Sequence, residues 1–146
     1  MYTFKDLRFG LLDYIAVIPS YRGKDVGKDL FNFTLEKFCS LVFNGIGLLM
    51  EIQKEEGLLP EDSAIRKNRI SFYTLLGSKV LVGVNYLLPP LQCGVGVEEM
   101  YLMIRPLRDI HQLSKASVIR FVRAIYSTIE TVLNTENTNL TALVDL

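Results

Sequence analysis

Residues 11–18 read LLDYIAVI, a short apolar run rich in β-branched and aromatic side chains that stops at Pro19. Runs of this length and composition form strands buried on both faces. A polar turn, YRGKDVGKD, follows, and from Val26 apolar side chains return largely at steps of three and four: Val26, Leu30, Phe33, Leu35, Phe38, Leu41 and Val42. That spacing predicts a helix to about Phe43, ended by Asn44-Gly45. A buried strand, a glycine turn and a helix in immediate succession constrain the chain more than any other feature. The unpaired N–H groups of the helix start, at the positive end of its dipole, then face whatever lies beyond the strand.

Further along, Gly47–Gln53 (GLLMEIQ) reads as a second strand, and Asp62 or Ser63 is placed to cap a helix over residues 64–76 that Gly77 ends. Residues 80–87 and 95–104 alternate as strands, and are expected to pair as an antiparallel hairpin across a connection containing Pro89-Pro90. A last helix, from Ser114 to about residue 133, carries the stripe Val118, Phe121, Val122, Ile125, Ile129, Val132 and Leu133, while residues 134–146 are polar enough to fray. The reading is one domain over residues 1–146, α/β (α+β) in class, ordered β-α-β-α-β-β-α. A βαβ crossover and an antiparallel hairpin share its sheet.

The chain has 146 residues, 49% of them hydrophobic and 22% charged, enough for one buried core. Sixteen basic residues balance sixteen acidic ones, so no cationic excess exists to hold nucleic acid or an anionic membrane. Cys39 and Cys93 stand far apart with no CxxC or Cys/His cluster, which excludes a metal-site or disulfide framework and suits a reducing compartment. Charges break up the apolar residues of the first thirteen positions, and no apolar stretch reaches membrane-spanning length. A cytoplasmic location is expected.

The chemistry concentrates in Arg22-Gly23-Lys24-Asp25-Val26-Gly27-Lys28. Glycines allow a ligand close to the backbone, the helix start offers N–H groups, and Arg22, Lys24 and Lys28 add positive charge, a combination suited to a phosphate. The plainer reading is a strand-to-helix turn whose glycines only satisfy backbone geometry. The P-loop pattern GxxxxGK[ST] fails because Asp29 follows Gly27-Lys28, and GxGxxG fails because Gly23 and Gly27 are four apart.

Residues 14–28, YIAVIPSYRGKDVGK, resemble the acetyl-CoA-binding motif of the GNAT acetyltransferases, a strand followed by V-x-P-x-[QR]-G-x-G-[IV]-G and a helix. Val17, Pro19, Tyr21, Arg22, Gly23, Lys24, Val26 and Gly27 fall in register. A second segment, Asn68-Arg-Ile-Ser-Phe-Tyr-Thr-Leu-Leu-Gly77, is similar to the family's N-x-x-[AS]-x-x-[FY]-Y-x-x-x-G helix, with a shorter spacing before Phe72-Tyr73. The resemblance implies a GNAT-like mixed central sheet with flanking helices, in which the first motif strand splays from Gly47–Gln53 and leaves a gap for the pantetheine arm. It implies acetyl-CoA as co-substrate, with the backbone of Ala16 and Val17 on the pantetheine, the amides of Arg22, Gly23, Lys24, Asp25, Val26 and Gly27 on the pyrophosphate with the charge of Lys28 beside them, and Asn68 as a further contact. Tyr73 matches the general acid that returns a proton to the departing thiolate; the competing account is an aromatic that packs its helix on the sheet. Glu51, Glu98 and Glu99 could reach the cleft as a base, but none is marked above a solvated strand carboxylate, and His111 lies outside both motifs.

Two departures qualify the match. Asp25 stands where the family usually has its middle glycine, placing a carboxylate near a pyrophosphate. Only thirteen residues precede the motif strand, where the family has further strands and helices, so an N-terminally truncated member is expected. Its motif strand would be an open apolar edge, which another copy or the last helix would have to cover. The expected function is an N-acetyltransferase acting on an amine of a small molecule or peptide, in a homodimer. The alternative is a catalytically degenerate CoA-binding or dimerising module of the same fold.

Overall fold

The computed structural model describes residues 1–56, 59–88, 96–110 and 112–144, with side chains through residue 131. Its strands are β1 (Tyr2–Phe4), β2 (Phe9–Leu12), β3 (Gly47–Gln53), β4 (Lys79–Val80), β5 (Tyr86–Leu88) and β6 (Glu98–Pro106), and its helices α1 (Val26–Leu41), α2 (Pro60–Leu75) and α3 (Lys115–Val144). They form a six-stranded mixed sheet in the order β1-β2-β3-β6-β4, with β5 also paired to β6. Only β2 and β3 run parallel, which is the crossover that α1 makes necessary; every other pairing is antiparallel.

Side chains alternate between two cores because successive Cβ atoms of a strand point to opposite faces. Leu48, Met50 and Ile52 of β3 pack with Phe31 and Phe38 of α1 and Tyr73 of α2. Leu49, with Phe9, Leu11, Leu102 and Ile104, packs on the other face with Phe121 and Ile125 of α3. Phe31, Phe38, Leu49 and Ile125 are all 0% exposed, and burial of each contributes on the order of 2–3 kcal/mol. α1 sits close on the sheet because Gly10 leaves room: a Cβ there would stand 2.8 Å from the Phe38 ring.

Several expectations are corrected. The first motif strand ends at Leu12, since Asp13 is exposed and residues 13–18 pair with no strand among the described residues. β1 precedes it, so β2 lies between β1 and β3 and is not an open edge. α2 begins at Pro60, whose fixed φ and missing N–H suit the first helical position, and this puts Asp62 and Ser63 inside the first turn. The strand expected over residues 80–87 is interrupted by a turn at Val82-Gly83, leaving β4 and β5; β5 does pair antiparallel with β6. α3 runs on to Val144 where fraying was expected, and Phe121, Val122, Ile125 and Ile129 of its stripe pack over its own sheet. Ser114 caps it, accepting the Ser117 N–H at 3.1 Å. The Pro89-Pro90 connection, Cys93 and His111 lie outside the described residues. No described helix is long and apolar enough to cross a membrane.

Candidate functional site

β2 and β3 stay in register only to the pair Leu12↔Met50, whereas β3 continues to Gln53 paired with β6 alone. Beyond Leu12 the chain departs toward Pro19, so on that side the backbone of Glu51, Ile52 and Gln53 has no strand partner among the described residues. The splay opens a cavity of about 400 Å³ between residues 12–17 and 50–52. A second cavity of about 520 Å³ continues it to the start of α1, and both share Ile15, Ala16, Val17, Arg22, Arg69 and Tyr73.

At the α1 end, the first intrahelical bond is Asp29 N–H to the Asp25 carbonyl at 2.9 Å. The N–H groups of Val26, Gly27 and Lys28 precede it, and no side chain caps them. Gly23 (φ +73°) and Asp25 (φ +57°) both adopt the left-handed conformation that turns the chain into the helix. Glycine does so freely, while a Cβ makes it cost about 1–2 kcal/mol at Asp25. The Asp25 position, where the family usually has a glycine, therefore adopts positive φ. Arg22 folds back so that its Nε donates to the Val17 carbonyl at 3.1 Å, which fixes the guanidinium between the two cavities.

Of the residues singled out from sequence, Ala16, Val17, Arg22, Gly23, Asp25, Val26, Gly27, Lys28 and Tyr73 all line the larger cavity. Lys24 does not; its ammonium lies 5.6 Å from the centre of the Tyr21 ring. Asn68 is exposed and outside both linings. Arg69 takes that place, a residue the sequence reading passed over, and its Nη1 donates to Gln53 Oε1 at 3.3 Å. At 3.6 residues per turn, four positions separate Arg69 from Tyr73 by about 40° around α2, against about 140° for Asn68.

The Tyr73 ring is 5% exposed and packs edge-on against Phe31 at 5.5 Å, so it anchors α2 to the sheet as well as lining the gap. Burial raises its pKa and the Arg69 charge opposes that rise, leaving a phenol protonated at neutral pH with a cation beside it. Glu51 faces the gap from β3 and accepts a hydrogen bond from the Tyr86 hydroxyl. Burial raises its pKa above the ordinary 4.5, the Tyr86 bond opposes this, and Asp13 adds to it. Glu98 and Glu99 are engaged elsewhere: Glu98 accepts from Gln53 Nε2 at 3.0 Å, and Glu99 pairs with Lys54 at 2.6 Å.

A separate cavity of about 350 Å³ lies among β4, β6 and the start of α3, and its polar side chains among the described residues are Lys79 and Gln112. Among the described residues it holds no acid–base pair. Among the described residues no group of three or more His, Cys, Asp or Glu could hold a metal ion.

No protein-family model matches the chain, and no curated protein does. Among solved structures it is similar to a chain from Bacteroides thetaiotaomicron assigned to the GNAT acetyltransferase family, at a TM-score of 0.57 and 24% identity. The likeness covers 84% of this chain and 59% of that one. The chain has the GNAT fold, a curled mixed sheet that opens between two parallel strands.

Proposed function

We propose that the protein is an N-acetyltransferase that takes its acetyl group from acetyl-CoA and passes it to an amine. The observation that carries this reading is the continuous gap from the unpaired edge of β3 to the uncapped start of α1. An extended amide-bearing arm matches the free strand edge, and a pyrophosphate matches N–H groups flanked by Arg22 and Lys28. Acetyl-CoA would supply the acetyl group as a thioester. Ala16 and Val17 would hold the arm by their backbone, and residues 22–28 the pyrophosphate.

Glu51 is the base in this reading. It would take a proton from the neutral acceptor amine as the nitrogen bonds to the thioester carbon, and Tyr73 would give its proton to the sulfur as the C–S bond breaks. Arg69 stands beside the phenolate that Tyr73 becomes. Glu51 and Tyr73 both line the smaller cavity, so one reacting group can lie between them. The acceptor is an amine of a small molecule or peptide.

A second reading, a CoA-binding module without turnover, draws support from Asp25, a negatively charged residue in the lining of the proposed pyrophosphate site. The homodimer expected from the sequence has lost the surfaces it was argued from, because β1 covers β2 and α3 lays Phe121 and Ile125 on its own sheet. Calorimetry with acetyl-CoA and CoA tests the reading: both should bind, with acetyl-CoA slowly consumed. Absence of binding to either rejects it, and binding of both with no turnover in the presence of amines selects the second reading.

A further inference from the structure

The carboxyl of Glu51 is drawn toward its protonated form by burial and by Asp13 on the other side of the gap. A protonated carboxyl cannot accept a proton from an amine. The contact acting the other way comes from Tyr86, which stands on β5, two strands from β3 across β6: Glu51 pairs with Leu102, and Tyr86 with Met100. Two strand spacings span about 10 Å, a distance that takes a side chain as long as tyrosine to bridge.

Tyr86 is held firmly. Its ring is 1% exposed in the core beneath α3 and lies 5.7 Å from that of Tyr126, whose own hydroxyl donates to the Leu87 carbonyl at 2.5 Å. The proton stays on Tyr86, since burial and the Glu51 charge both push its phenol far above the usual range, so Tyr86 is the donor and Glu51 the acceptor. Asp13 from the segment after β2 and Tyr86 from β5 act on Glu51, the Glu51 charge in turn raises the pKa of Tyr126 on α3, and Arg22 and Arg69 line the same cavity.

We propose that Tyr86 is a positioning residue for the transfer, its hydroxyl fixing the Glu51 carboxylate at the gap in the form that takes a proton from the acceptor amine. The proposal rests on the reading of Glu51 as the base. Loss of the hydroxyl leaves the ring packed and the carboxylate without its donor, so proton transfer weakens on the acid side of the pH profile and recovers as the pH is raised.

The test is a carbon NMR titration of Glu51 in the full chain labelled at the glutamate carboxyl carbons, with the resonance assigned by Glu51→Gln. Wild type, Tyr86→Phe and Tyr126→Phe are compared, each checked for an unchanged fold by its methyl spectrum. The midpoint should move to higher pH in Tyr86→Phe and stay in place in Tyr126→Phe. A midpoint unchanged in Tyr86→Phe, or displaced equally in both variants, overturns the proposal. The titration needs no substrate: a displaced midpoint in a chain that fails to bind acetyl-CoA supports the coupling and counts against the transferase reading alone.

Discussion

The ring of Phe72 lies 3.5 Å from where a Cβ on Gly27 would stand, with a Val17 methyl at 3.6 Å. These are ordinary contact distances, and Gly27 does not have positive φ, so its lack of a side chain serves neither packing nor backbone freedom. The space it leaves belongs to the cavity. Gly27→Ala should fold with stability unchanged or raised by up to about 1 kcal/mol, from better helix propensity. Gly27→Val should keep its melting temperature within a few degrees and lose measurable acetyl-CoA binding by calorimetry. Wild-type affinity in the valine variant would show that the ligand does not lie against α1.

Asp25 makes no cap bond and keeps positive φ without a glycine's freedom. Asp25→Gly relieves about 1–2 kcal/mol of backbone cost, offset by about 0.4–1 kcal/mol of added unfolded-chain entropy, so stability should change little. CoA affinity should rise, and the gain should shrink as salt is added. Weaker binding in the variant would show the carboxylate to be a useful part of the turn.

Tyr73→Phe keeps the ring that packs on Phe31 and removes only the hydroxyl. Acetyl transfer should fall about a hundredfold while CoA affinity and melting temperature hold. On the same helix, Arg69→Ala should lower transfer and Asn68→Ala should leave it within about twofold, because only Arg69 lines the gap. Steady-state rates for the three variants check this; a larger loss at Asn68 than at Arg69 would contradict the placement.

Glu51 ties stability to pH. Its folded-state pKa is raised, so the stability it contributes is full below the unfolded value near 4.5 and is lost as the pH rises through the folded value. Glu51→Gln does not titrate, and its carboxamide oxygen can still accept from Tyr86. The variant should therefore gain stability relative to wild type as the pH rises from about 4.5 and level off above the raised folded value. It should also be inactive. Denaturation midpoints from pH 4 to 8 give the sign; a flat or inverted difference would mean that Glu51 is not strained by burial.

Local chemistry was legible in the sequence where neighbours in the chain decide the outcome. Gly47–Gln53 and the start of α1 at Val26 match their expected bounds, since short apolar runs and helical spacing act within a few residues. The turn of residues 22–28 was legible for the same reason, and all but Lys24 line the cavity. Residues 13–18 were not: their composition is that of a strand, but whether they pair depends on how far β2 stays beside β3. Arg69 could have been found from its four-residue step to Tyr73, a helical-face argument the motif's asparagine displaced. Tyr86 carried no such signal, because its approach to Glu51 depends on β6 inserting between β3 and β5, a pairing between distant segments.

The most direct test of the central claim is release of free thiol from acetyl-CoA by the purified chain, with and without a panel of primary amines. The account predicts slow release alone, acceleration by at least one class of amine, and loss of that acceleration in Glu51→Gln and Tyr73→Phe. Release that no amine accelerates, or that both variants retain at the wild-type rate, would contradict it.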